Sequence, residues 1–332
     1  MSLSSFAKHG PARVHFLPMR RRWTGLRLGL IVSLSAVYAW RVRHGREKSA
    51  ENMNFFRRLL AGAFDGKDRQ QYRMQSVYVG DHTLLIRTQS GHKIYADSRD
   101  LSVVPTLVFK GHWEPWVAQV MQESLRPGMH VADIGAHVGC HTCIMASAVG
   151  PTGHVHAIEA NPRLASLLRM TIAANGIYDY ATCHQVVVGE RPGEIDFHLF
   201  RGLMGSSSVL PMQAAAANYG DTVDVQRLKC EPLDQIIPDG RLDAMKIDCE
   251  GSEPAIIAGA QRLLGSSTLR HIFMEYSPYF YVAREAPVRM FADLERFGFR
   301  FSVVGRRGKP TVMSREQVLA LDGLFDMHLF RE

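Results

Sequence analysis

The stretch Val131-Ala132-Asp133-Ile134-Gly135-Ala136-His137-Val138-Gly139 constrains this chain more than any other. His130 to Ile134 reads as a buried strand. Gly135 and Gly139 then fit a tight turn into a helix, where side chains would block a ligand from the backbone. Twenty residues beyond Gly139, Glu159 closes the next apolar run, His154 to Glu159. In an open parallel sheet that strand end is where a carboxylate accepts both hydroxyls of an adenosine ribose.

A nicotinamide dinucleotide asks for G-x-G-x-x-G, so that the helix start meets a pyrophosphate. Here the spacing is D-x-G-x-x-x-G, with histidine at position 137. Asp133 is expected to face the ligand. A carboxylate attracts the ammonium of a methionine moiety and repels a phosphate, which favours S-adenosyl-L-methionine over NAD.

The rest of the chain alternates in the manner of a parallel sheet. Gly139 to Val149 and Pro162 to Asn175 have helical spacing, while Ala181 to Val188, Ala244 to Asp248 and His271 to Tyr276 are apolar strands. Phe299 to Val304 and Met327 to Arg331 close the sheet as an antiparallel pair. The expected core, residues 128–332, is a doubly wound, mostly parallel, Rossmann-like α/β sheet of seven strands. Residues 47–127 precede it as an accessory region. That region comprises a helix to about Gly66, short strands at Ser76 to Val79, Thr83 to Thr88 and Lys93 to Ala96, and a helix from Glu114 to Leu125.

Charge is distributed unevenly. Residues 1–46 hold nine of the 39 basic residues and no acid, which leaves 30 basic against 32 acidic side chains in the remainder. The formal charge of +7 is therefore a property of the front segment, and a nucleic-acid partner is not expected. Leu28 to Trp40 is uncharged and apolar between arginines, so residues 24–40 read as a membrane attachment. The run is short for a span and comparably suited to lying in the interface. A cleaved leader or an Arg-rich organellar presequence fits the same residues, and otherwise the chain belongs in the cytoplasm. The odd set Cys140, Cys143, Cys183, Cys230 and Cys249 argues against a disulfide framework. Cys140-His141-Thr142-Cys143 has half the spacing of a zinc site but no second half, so small buried helix residues are the expectation.

A second constellation, Lys246-Ile247-Asp248-Cys249-Glu250-Gly251-Ser252-Glu253, ends a strand in a burst of carboxylates. Beyond the carboxyl ends of parallel strands lies the ligand crevice, so Asp248 is expected beside Gly135. Glu253 and Ser252 have a competing use as caps of the next helix. Asp133 to Gly139, His156 to Pro162 and Lys246 to Glu253, with Gly111-His112-Trp113-Glu114 upstream and Gly205-Ser206-Ser207-Ser208 in mid-chain, together resemble the FkbM-type methyltransferases. The resemblance covers roughly residues 80–332 and departs at His137, where those proteins usually carry asparagine.

The resemblance implies that Asp133, Gly135, Ala136, His137, Gly139, Glu159, Ala160 and Asn161 shape a pocket for S-adenosylmethionine, that Asn175 supports it, and that Asp248 borders donor and acceptor. His112, Glu114, Ser206 and Ser207 are the candidate acceptor contacts. The implied reaction is O-methylation of a sugar or small-metabolite hydroxyl. Asp248 or Glu250 is the expected base, with His112 and His137 as further candidates. No metal is expected, on the reading that Asp248 and Glu250 leave the strand end on opposite faces. The competing readings are a non-catalytic nucleoside-binding partner protein and, less favoured, an NAD-dependent oxidoreductase.

Overall fold

The structure is a computed structural model that describes residues 76–211, 220–281 and 285–332. The basic, apolar segment at residues 24–40 and the helix expected up to Gly66 lie outside the described residues. Among the described residues no helix is long and apolar enough to cross a membrane. By its contacts the chain divides after Gln71, so the architecture below belongs to the unit Tyr72–Glu332.

Three strands, β1 (Ser76–Gly80), β2 (Thr83–Arg87) and β3 (Lys93–Asp97), form the antiparallel cap that the turn residues announce. Then come α1 (Val104–Lys110), α2 (Pro115–Ser124), β4 (His130–Ile134), α3 (Cys140–Val149), β5 (His154–Ile158), α4 (Pro162–Ala174) and β6 (Ala181–His184). They are followed by β7 (Val187–Val188), β8 (Gly193–Phe200), β9 (Val223–Glu231), α5 (Leu233–Ile236) and β10 (Ala244–Ile247). The chain finishes with α6 (Glu253–Ala258), α7 (Gln261–Gly265), β11 (His271–Tyr276), α8 (Glu285–Arg296), β12 (Arg300–Val304), β13 (Pro310–Met313), α9 (Arg315–Leu319) and β14 (Phe325–Phe330).

The central sheet runs β13-β12-β14-β11-β10-β4-β5-β6. From β11 to β6 every pairing is parallel, and β14 is antiparallel to both of its neighbours. Parallel strands are covered on both faces, which is why these segments read as unbroken apolar runs. Val131, Val155 and Ala181 share one core with Met145 and Leu168 from α3 and α4. Ala132, Met245 and Ile272 share another with Ile256 and Phe291 from α6 and α8.

Helix α4 begins where its sequence says it should. The Asn161 side chain accepts from the backbone N–H of Arg163 and Leu164, and Pro162 occupies the first turn. The cap docks on this helix through β3. Tyr95 N–H donates to Thr171 Oγ1 at 3.0 Å, Lys93 N–H donates to Asn175 Oδ1 at 2.9 Å, and Arg163 Nε reaches Asp97 Oδ2 at 2.8 Å. Asn175 is therefore a joint between cap and core.

Two expectations are corrected. The central sheet has eight strands where seven were expected, because β13 pairs with β12 at the edge. Its four residues begin with proline and are mostly exposed, so neither length nor alternation announces it. The run from Ala181 to Val188 is two strands. Only β6 joins the central sheet, while β7 pairs with β9 in a separate sheet ordered β7-β9-β8. The β8 and β9 strands are separated by residues 201–222, so no short-turn signature marks their antiparallel pairing.

Candidate active site

The chain leaves β4 toward β5 and β6 on one side and returns through β10 on the other. A crevice opens at such a switch point, beyond the carboxyl ends of the strands. Ile134 lies opposite Ile158 in one pairing and Ile247 in the other, so Gly135, Glu159 and Asp248 emerge side by side. The approach at Gly135 is very close. A Cβ there would stand 1.9 Å from the Asp248 carbonyl oxygen, and its φ of +75° independently favours glycine.

The cleft above these strand ends has a volume of about 220 Å³. Gly135, Ala136, His137, Glu159, Ala160, Asp248, Glu250, Glu114, Ser206 and Ser207 all line it, as the sequence leads one to expect. Ile158, Val186, Val187, Val188 and Phe197 give it an apolar wall. Besides Asn175, four expected residues stand elsewhere. Gly139 serves helix packing, since a Cβ would meet Leu168 Cδ1 at 2.8 Å. Asn161 caps α4. His112 does not line the cleft, and its buried Nδ1 has no partner among the described residues.

Asp133 requires the main correction. It is fully buried, does not line the cleft, and accepts from Thr142 Oγ1 at 2.6 Å. Its other oxygen has Lys246 Nζ at 3.6 Å, and the same ammonium lies 3.1 Å from Asp248 Oδ2. Lys246 is itself buried on β10. Burial opposes its charge, but Asp248 and Asp133 prevail and hold its pKa above the ordinary value. The carboxylate expected to meet a ligand's ammonium thus anchors a lysine, and Asp248 is the acid the cleft presents at this end.

Glu159 is fixed by the backbone on both oxygens. His137 N–H donates to Oε2 and Asn161 N–H to Oε1, each at 2.8 Å. Burial lifts its pKa above the usual value, against the opposing effects of His137 and these two donors. Each oxygen keeps a lone pair for the cleft.

His137 holds a left-handed backbone, with φ +51°. Its Nε2 lies 3.2 Å from Asp100 Oδ2, and Asp100 Oδ1 accepts from the backbone of Ser102 and Met204. One buried acid therefore ties the turn after β4 to the loop carrying Ser206 and Ser207. Burial opposes the imidazolium, but Asp100, then Glu159 and Asp248, raise its pKa above 6.5. A raised pKa stabilises the fold fully below the unfolded value, and that contribution is lost as pH rises through the folded one. We expect His137→Asn to lose about 2 kcal/mol of stability near pH 6, and less near pH 9. Paired thermal melts check this, and a pH-independent difference counts against a charged pair.

The acids beyond Asp248 are crowded. β10 ends at Ile247 and the chain turns at Glu250, where φ is +50°. The expectation that Asp248 and Glu250 point apart is corrected, since residues two apart in a strand share a face: one carboxylate oxygen of each lies within 4.8 Å of the other and of one from Glu275. Burial, then the charge of Asp248, pushes Glu250 up to about 8 and Glu114 in the same direction. Glu275 rises for the same two reasons, and Asp326 through burial foremost. His141 on α3 is 5% exposed, and its Nε2 stands 3.8 Å from Glu114 Oε2. Burial and the Lys246 charge press its pKa down to about 4, so the imidazole is neutral at pH 7.

Lys246, His141, Asp100, Glu275 and Asp326 carry no expected role in the sequence. A lysine inside an apolar strand was a legible signal for the first, and none of the others had one. Cys143 of the quartet Cys140 to Cys143 packs in the core, and all five cysteines are free thiols.

The family described as the methyltransferase FkbM domain matches residues 133–301, just over half of the chain. A protein-L-isoaspartate O-methyltransferase of Hyperthermus butylicus is 36% identical over 85 residues, 23% of this chain and 34% of that protein. The enzyme of the same name from Methanothrix thermoacetophila is 42% identical over 48 residues, 14% of this chain and 23% of that protein. The match thus spans about a third or less of these relatives' length. Among solved structures, precorrin-6y C5,15-methyltransferase from Geobacter metallireducens aligns with a TM-score of 0.38 at 13% identity, over 71% of this chain and 96% of its own. Aeropyrum pernix fibrillarin, solved with natively bound S-adenosyl-L-methionine, aligns with a TM-score of 0.34 at 12% identity, over 78% and 100%.

Proposed function

The chain belongs to the FkbM methyltransferase family, and on that footing we propose that it is an S-adenosylmethionine-dependent methyltransferase acting on a hydroxyl oxygen of a carbohydrate or other small acceptor. One observation carries the reading. Glu159 and Asp248 line a single cleft at the switch point of the sheet, and the wall between them and β7 is apolar. This donor set fits the cofactor: a carboxylate for ribose hydroxyls, aliphatic and aromatic side chains for a flat base, and an acid at the Gly135 end for an ammonium.

When bound, S-adenosylmethionine supplies a methyl group on a positive sulfur, an electrophile that needs alignment more than activation. The residues of this chain supply the rest. Glu159 holds the ribose, with its own orientation set by two backbone donors. Gly135, Ala136 and His137 bring the backbone close. Glu114, Ser206 and Ser207 frame the side from which an acceptor enters. The hydroxyl proton is drawn toward the carboxylates beyond β10, with Asp248 and Glu250 the nearest to the strand end.

The test uses full-length protein. S-adenosylhomocysteine is expected to raise the melting temperature, and label from methyl-tritiated S-adenosylmethionine to enter a small carbohydrate or metabolite acceptor as an ether that withstands alkali. No stabilisation removes the cofactor reading. Stabilisation without transfer favours a nucleoside-binding partner protein, and alkali-labile label means that carboxylates, not hydroxyls, are methylated.

A further inference from the structure

We propose that Glu250 and Glu275, with the Asp248 carboxylate that borders both donor and acceptor, bind a hard divalent cation of the Mg2+ or Mn2+ class. The three residues come from two neighbouring strand ends, and each offers one oxygen within 4.8 Å of the other two. Opposite ligands of a six-coordinate ion with metal–oxygen bonds of about 2.1 Å stand about 4.2 Å apart, so small side-chain rotations bring the three oxygens into its range. An all-oxygen donor set selects such ions over zinc or copper.

The partners of these carboxylates point the same way. Among the described residues, no hydrogen-bond donor reaches the carboxylate of Glu250 or Glu275, and Asp248 has only the Lys246 ammonium, at 3.1 Å. Mutual repulsion among close acids with no donor between them falls when a cation joins them. Glu275 also belongs to a second close group with Glu114 and Asp326, so the acids form one continuous cluster. Lys246 is the buried ammonium inside it, and half of its service goes to Asp133. The cofactor would add a single net positive charge, and a dication still meets several close carboxyl groups whose protons it can displace.

An independent feature marks the place. Among the described residues His141 Nε2 is buried without a hydrogen-bond partner, lines the same cleft, and stands 3.8 Å from Glu114, the neighbour of Glu275 in the second close group. At 3.8 Å the imidazole is too far from that carboxylate for a hydrogen bond. A buried ring nitrogen left open toward an acid cluster is what a hydrated ion's water would satisfy, and Mg2+ usually keeps several waters. The remaining coordination positions suit the acceptor. A hydroxyl bound through its oxygen loses its proton to water more readily beside a dication.

The catalytic use of the ion rests on the methyl-transfer reading, whereas its binding does not, and the experiment separates them. Full-length protein is stripped with EDTA and titrated with Mn2+ alone, following the free-ion signal by electron paramagnetic resonance. Wild type is expected to bind one ion saturably, in competition with Mg2+. Glu275→Gln and Glu250→Gln are each expected to weaken binding by about tenfold or more, with a cooperative thermal melt as the check on folding. If one variant does not fold, the other decides. Absence of saturable Mn2+ binding by the wild type, or binding unchanged in a folded variant, overturns the proposal. S-adenosylhomocysteine stabilisation without Mn2+ binding sinks the cation site alone. Failure of both ligands removes the methyltransferase reading as well.

Discussion

Glu159→Gln is expected to lower the affinity for S-adenosylhomocysteine by about a hundredfold, close to 3 kcal/mol, in a calorimetric titration. The substitution preserves shape and reverses polarity on one side. The native carboxylate faces two backbone donors, from His137 and Asn161, both at 2.8 Å. An amide has one acceptor atom, so its NH2 group must confront one of these N–H groups. The side chain then turns, the donor is left unsatisfied, and the ribose loses an acceptor. The structural part of the cost is separable: the melting temperature without ligand should fall only modestly, while ligand stabilisation disappears. An affinity close to that of the wild type would mean that the cofactor does not rest on this carboxylate.

Lys246→Met is expected to destabilise the fold by about 3–5 kcal/mol, because it strips the ammonium from a fully buried acid. Asp133 would keep only the Thr142 hydroxyl, at 2.6 Å. In a unit of this size the melting temperature should drop by about 10 °C. The diagnostic is the double variant Lys246→Met/Asp133→Asn. Removing the stranded charge should recover a large part of the loss, since a neutral amide in that position needs no counter-ion. A double variant no more stable than Lys246→Met would show that the lysine acts through Asp248 or through packing, and not through Asp133.

These two residues also mark how far the sequence could be read. The place of Glu159 in the cleft was legible because it follows from position along the chain: a carboxylate at the end of the strand after a glycine turn has one address in a doubly wound sheet. The turn at Gly135 and the placement of Asp248 beside it followed in the same way. Asp133 was misread although it was correctly placed. Its residue type suited a ligand's ammonium, but the sequence does not tell which cation reaches it, and Lys246, more than 100 residues away, reaches it first.

What the sequence by itself determined is everything that depends on local periodicity and backbone geometry: the parallel core, its switch point, and the residues at its strand ends. What only the tertiary structure decided is the pairing of charges and the convergence of side chains from distant segments. Asp100 meets His137, Lys246 divides itself between two acids, and Glu275 brings a carboxylate to those of Asp248 and Glu250. The physical reason is that backbone conformation is set within a few residues, whereas electrostatic partnership depends on distances in space that chain order does not encode.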